Sequence, residues 1–496
     1  MDRIHFKLAW GTNFMVESKL TFSEEQIQAL FGHEAAEDEE PTRLRQYYFK
    51  STVYEQVVND LSLRILVGHK GIGKSALFQV AIAEEREKKR LAILIKPDDI
   101  LELKTDADDF LKTIRDWKDG ISEIVTRKVI ASLIKDQTEK VPFIARNVRS
   151  IVDFVKSFIS PAAGQFTDDL LVDEFLKTGK VSVYIDDLDR GWEGKGKDVS
   201  RISALLNAIR DISSENRSIY FRVSLRSDVY YLVRTSDEST DKIEGSVIWH
   251  SWTNHEIFVL LVKRIESFFG RDINEQELLK QRQPLLAHYL QPVFEEKFTG
   301  RGHWENAPIY RVLMSLVRKR PRDLVKLCTL AGKNARVTQS NFIHTQNLES
   351  VFAEYSQGRL QDTINEFRSE LPQIERLLLG MKPSKRGKQT KEGYVYSTDT
   401  LIKKLKNIQE QGEFSFSNGK KADSKQLAAF LYKINFITAR KESGEEIQRK
   451  YFEENRYLSS EFADFGFDWE VHPAYRWALQ PSNMMDIYYS LRLSSD

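Results

Sequence analysis

Cysteine is almost missing from this sequence. Cys328 is the only one in 496 residues, so neither a disulfide framework nor a multi-cysteine metal centre can form within one chain. No stretch approaches the run of about 18 apolar residues that a membrane helix needs. The opening MDRIHFKLAWGTNF has no long apolar core of the secretory kind. A cytoplasmic protein without a membrane partner is the expectation. Net charge is missing too: 74 Lys and Arg stand against 73 Asp and Glu. That balance excludes a whole-surface electrostatic grip on nucleic acid, and any DNA contact would need a local patch. No internal repeat is visible. What remains is an ordinary apolar share, 41%, and a length that suggests about three domains.

The most informative stretch is 61–77, LSLRILVGHKGIGKSAL. An apolar run at 63–67 reads as a buried strand, glycines then break it, and a helix opens at Lys74. The pattern Gly68-His69-Lys70-Gly71-Ile72-Gly73-Lys74-Ser75 is G-x-x-x-x-G-K-S, a phosphate-binding loop. Glycine permits backbone turns that point successive N–H groups at an anion. The helix start through Ala76 adds its positive dipole end. Lys74 reaches for the β- and γ-phosphates, and the Ser75 hydroxyl is placed for Mg²⁺.

A second chemical segment is 181–190, VSVYIDDLDR. An apolar strand ends on Asp186 and Asp187. Downstream of a phosphate loop, one carboxylate holds Mg²⁺ through its water shell and a neighbour orients the attacking water. Asp186 is assigned to magnesium and Asp187 to the water. Asp is one methylene shorter than the Glu common at the second position, so hydrolysis is expected to be slow. A strand at 219–225 ends at Arg226, which makes Arg226 a candidate for touching the γ-phosphate. A short strand at 247–250 completes the sheet.

The rest reads as helical domains and a terminal module. Residues 22–31 form a helix with Ser23 as its cap. Phe49, Thr52 and Tyr54 are candidates for covering an adenine, against a core reading. A helical insertion spans about 100–179. From 253 to 380 the pattern is helical, including 318–323, RKRPRD, where Pro321 fits a first helical turn. Arg322 at that start is a candidate to fold back onto the nucleotide; Arg320 either does the same or faces DNA, and the competing reading of both is a plain basic loop. Segment 382–393, KPSKRGKQTKEG, is a basic linker. Two helices and an extended pair then suggest a winged-helix-like module. The expected fold is α/β: a P-loop NTPase core with a five-stranded, mostly parallel sheet and a helical insertion. Its expected divisions are a segment 1–60 covering the nucleotide site, a core 61–252, a helical lid 253–380 and the module 381–496.

Taken in order, GHKGIGKSAL, YIDDLDR, SLRSDVYYLV, the helix led by Trp252, KRPRDLVKLC and VHPAYRWAL resemble a family of bacterial P-loop ATPases of the AAA+/STAND superclass. The match covers most of the chain in scattered motifs. The resemblance implies ATP and Mg²⁺ at Lys74, Ser75, Asp186 and Asp187, with Arg226 as first sensor and Arg322 as second. It also implies a homo-oligomer, an effector protein as partner and a setting in anti-phage defence. The insertion and the second Asp depart from the pattern. Arg190 and Arg234 are both open as arginine fingers. The expected activity is that of an ATP-binding, slowly hydrolysing switch. The alternatives are a DNA-dependent ATPase and a nucleotide-stabilised scaffold that does not hydrolyse.

Overall fold

The computed structural model describes residues 4–7, 13–16, 20–88, 90–100, 109–135, 180–191, 195–216, 218–236, 238–383, 393–443, 446–455, 458, 466–479 and 485–493. Most of the insertion expected at 100–179, and most of the basic linker at 382–393, lie outside the described residues. The chain divides into two compact units. One comprises 50–70 and 74–250; the other comprises 1–49, 71–73 and 251–496.

The first unit is built on a five-stranded sheet. Its strands are β3 (Leu63–Gly68), β4 (Leu91–Ile95), β5 (Val181–Ile185), β6 (Ile219–Arg226) and β7 (Val247–Trp249), after a hairpin of β1 (Ile4–Lys7) and β2 (Asn13–Val16) in the other unit. The spatial order is β4-β5-β6-β3-β7. Every neighbouring pair is parallel, so the sheet is wholly rather than mostly parallel. Parallel strands need both faces covered, and these strands are near-continuously buried. Val181, Val183 and Ile185 share one core with Phe221, Val223 and Leu225 and with helices Phe110–Lys135 and Gly196–Glu215. The intervening Tyr184 meets Phe78 of helix Lys74–Glu87, ring centres 5.1 Å apart. Period-two alternation therefore sends Asp186 to the same face as Tyr184.

The second unit is mainly helical, with Glu24–Phe31, Asn254–Phe268, Pro321–Val337 and Thr345–Phe367 around one apolar core. Ser23 caps the first helix as expected, its hydroxyl accepting from the Gln26 N–H. Thr253 and Glu256 close a reciprocal capping box on the next, at 3.1 and 2.8 Å. The region 253–380 is not purely helical, since bridges join Phe294 to Ile343 and Lys297 to Pro308. Beyond it, helices Thr398–Gln409 and Ser424–Lys433 accompany an antiparallel sheet of β8 (Val395–Tyr396), β9 (Ile437–Ser443), β10 (Glu446–Lys450) and β11 (Asp468–Val471), ordered β10-β9-β11-β8. The expected extended pair is thus part of a four-stranded sheet, and Pro473–Arg476 turns helical.

Buried charge ties this unit together. Asp323 accepts from Arg318 at 2.7 and 2.9 Å and from Arg359 at 2.8 Å. Arg318 also donates to the Tyr475 hydroxyl at 2.6 Å and to Thr363 at 3.0 Å. Burial alone would raise the Asp323 pKa, but the two guanidinium groups overturn that and hold its carboxyl far below the ordinary range. Removing one partner of such a buried group strands the others without a counter-charge. Asp323→Ala should therefore cost about 3–5 kcal/mol of stability, read as a lowered urea midpoint. An unchanged midpoint would show that the network carries no stability.

Candidate functional site

The candidate site in the sheet unit lies at the carboxyl ends of β3, β5 and β6. After β3 the chain passes through Gly71 at φ +78° and Gly73 at φ +105°, then enters the helix beginning at Lys74. Both are left-handed positions that glycine takes without strain. The Lys74 ammonium donates to the Gly68 carbonyl at 2.9 Å and the His69 carbonyl at 3.2 Å. Its own loop carbonyls thus supply polar partners for the ammonium. Ser75 and Ala76 follow in the first turn, both partly exposed, and Lys70 is exposed.

Within the helical unit, the loop tip has two anchors. The Trp252 indole N–H donates to the Ile72 carbonyl at 2.8 Å. The Arg322 backbone N–H donates to the Gly71 carbonyl at 3.3 Å. A Cβ on Gly71 would lie 3.0 Å from that of Arg322. Arg322 itself donates from Nε to the Glu34 carbonyl at 3.1 Å.

β6 lies between β3 and β5, so its end faces both the loop strand and the acid strand. Ser224 on β6 donates its hydroxyl to Asp186. Asp186 is buried and also accepts from the Asp187 N–H at 3.0 Å. Asp187 is exposed and holds φ +63°. Asp tolerates this left-handed backbone better than Glu or a branched residue, which gives a physical reason for Asp at the second acid. Hard oxygens from the Ser75 hydroxyl and the Asp186 carboxylate are the donor set magnesium prefers.

Arg226 ends β6. Asp228 grips it on two prongs, Nε at 3.0 Å and Nη2 at 2.5 Å, and Asp189 approaches Nη1 at 3.5 Å. Ser227 sits 3.0 Å from His69 Nδ1. His250 follows β7, its N–H donating to the Val67 carbonyl at 2.7 Å. It is buried, and burial together with the nearby Lys74 charge pushes its pKa down to about 3.

The remaining candidates divide between core and surface. Arg320 is buried and pairs with Glu366 at 3.4 Å, so it does not face DNA; its helix start turns it into the domain core. Of the three adenine candidates, Thr52 is exposed. Phe49 packs on Trp252 with ring centres 5.8 Å apart, and Tyr54 donates to Glu84 at 2.8 Å; both serve as core. Arg190 is exposed, whereas Arg234 is held by Asp241 and Glu244. Asp189, Ser224, Asp228 and His250 escaped the sequence reading. The acids Asp189 and Asp228 carry a signal in the strings DDLDR and RSD; Asp228 is a sequence neighbour of Arg226, but only the adjacency of β5 and β6 brings Asp189 to the same arginine.

A family model described as the FunZ-associated C-terminal helical domain matches residues 256–364. The 80.3 kDa transposon gamma-delta protein of Escherichia coli K12 is 22% identical over 384 residues, covering 70% of this chain and 52% of that protein. The chain thus spans about half the length of that curated relative. Among solved structures, the Aeropyrum pernix ORC2 protein in ADPNP and ADP complexes is 12% identical with a TM-score of 0.39, covering 88% of this chain and 92% of that one. The Drosophila ORC bound to DNA is 10% identical with a TM-score of 0.32, covering 98% and 96%.

His250 generates a pH prediction. In the folded chain it stays neutral down to about pH 3, whereas the unfolded imidazole titrates near 6.5. The unfolded state therefore binds the extra proton as pH falls below 6.5, and stability drops at up to about 1.4 kcal/mol per pH unit until the folded pKa is reached. Replacing His250 by Gln should flatten the pH 4–5.5 dependence of the urea midpoint by close to one proton, and by less toward pH 7. An identical slope in both proteins would contradict the assignment.

Proposed function

We propose that this chain is an ATP-binding, slowly hydrolysing molecular switch. Its nucleotide state is passed on through assembly of copies or through an effector protein, in the setting of bacterial anti-phage defence. The observation that carries the reading is the carboxyl-edge arrangement of a glycine-turned loop, Lys74 at a helix start and a buried acid, Asp186, two strands away. Loop amides of 68–76 and the Lys74 ammonium would hold the phosphates. Ser75 and Asp186 would hold magnesium, which supplies charge neutralisation at the β- and γ-oxygens. Asp187 would orient the attacking water, and Arg226 would sense the γ-phosphate. An exposed Asp on a left-handed turn is a loosely held water ligand, in keeping with slow turnover.

A DNA-dependent ATPase remains the competing class. It requires DNA to raise turnover, with the rise lost as salt increases.

One experiment separates the readings: ATP turnover and particle mass measured together, with and without DNA, for the wild type and two variants. Lys74→Ala should lose Mg²⁺-dependent ATP binding by at least about 100-fold, the order expected from deleting a direct phosphate contact. Asp187→Asn should keep binding, cut turnover by about 100-fold or more and accumulate the ATP-bound assembly. Turnover unaffected by Lys74→Ala would end the proposal. An Asp187→Asn protein with unchanged assembly and signalling would favour the scaffold.

A further inference from the structure

Two carboxylates contact Arg226 unequally. Asp228 takes the Nε and Nη2 edge with two short bonds, at 3.0 and 2.5 Å, and is itself buried. Two parallel charge-assisted bonds fix a guanidinium in both position and plane. Asp189 meets the other nitrogen, Nη1, by one longer contact of 3.5 Å. That second contact is the weaker of the two on geometry alone.

Asp189 is also poorly served where it sits. Its side chain is largely buried, and the charges around it are mixed: Lys74 and Arg226 on one side of the ledger, Asp228 and Asp187 on the other. Burial raises its pKa against the pull of Arg226 and Lys74. The two cations that favour its charge are the two that a terminal phosphate would claim. A phosphoryl group carries more charge than one carboxylate and offers three acceptor oxygens.

We propose that Asp189 is the resident counter-ion of Arg226 which the γ-phosphate displaces, while Asp228 keeps the guanidinium in place through the exchange. This rests on the reading that ATP binds with its γ-phosphate at Arg226. Asp228 is then a positioning residue, and Asp189 is a built-in competitor. ADP has no γ-phosphate, so it leaves the Asp189 contact intact. The exchange makes the tight turn after β5, closed by the Arg190 N–H on the Asp187 carbonyl at 2.9 Å, the element that differs between nucleotide states. That turn exposes Arg190, within reach of anything that reads the surface.

The test compares ATP and ADP affinities, both with Mg²⁺, on the full-length protein. Asp189→Asn should tighten ATP by about fivefold and leave ADP within about twofold, because only the competitor for the γ-phosphate is lost. Asp228→Asn should weaken ATP by about tenfold with ADP again unchanged. In an Arg226→Gln background, Asp189→Asn should no longer alter the ATP-to-ADP ratio, a coupling that a purely structural role would not produce. Should Asp189→Asn fail to fold, Asp189→Ser serves in the same comparison. Equal shifts for ATP and ADP, or a persistent effect without Arg226, would overturn the exchange. A wild-type protein that binds neither nucleotide would instead overturn the nucleotide reading beneath it.

Discussion

A carboxylate buried at the end of a strand must be held by something, and here it is held across the sheet by a hydroxyl. Asp186 accepts from Ser224 on the neighbouring β6, and that bond exists only because β5 and β6 run parallel in register, Ile185 beside Val223. The same register sets Gly68 beside Arg226. Acid, hydroxyl, arginine and loop lysine thus share one edge because three neighbouring strands, β5, β6 and β3, run the same way. Slipping β6 by one residue would turn Ser224 and Arg222 onto the opposite face. Arg222 guards against that slip, since its guanidinium binds the carbonyls of Leu61 at 2.7 Å and Asn59 at 2.6 Å, just ahead of β3.

The helical unit solves a different problem. It buries several arginines and does so in charge-paired groups: Arg318 and Arg359 on Asp323, and Arg449 and Arg476 on Glu470. Bringing cations inside is costly unless geometry and counter-charge are both supplied. The result is that several of the arginines visible in the sequence of this region are internal. Arg320, Arg440 and Arg449 belong to the core or its margin, and basic residue content there is a poor guide to what a partner would meet.

Local grammar made part of the molecule legible in the sequence. The run 63–67, the glycines after it and Lys74 define strand, loop and helix by neighbour effects alone, and the structure follows them closely. The cap at Ser23 and the first-turn Pro321 are equally local. The sheet order was not legible, because pairing partners such as β3 and β6 lie some 150 residues apart, and nothing in either strand names the other. For the same reason Asp189 passes as an ordinary turn acid until the pairing of β5 with β6 brings it to Arg226. The fate of Arg320 shows the opposite error: a basic run looks like surface, yet Pro321 starts a helix whose first turn points inward.

Arg318 and Tyr475 meet although 157 residues separate them along the chain. On a ribosome adding about 5–20 residues per second, that interval is roughly 8 to 30 s. Through that time the helical domain has Asp323 and its arginines but not the hydroxyl that completes their enclosure. Nascent chains that end before residue 475 lack that hydroxyl, so the C-terminal module supplies the closing piece of a network whose other members are synthesised well before it.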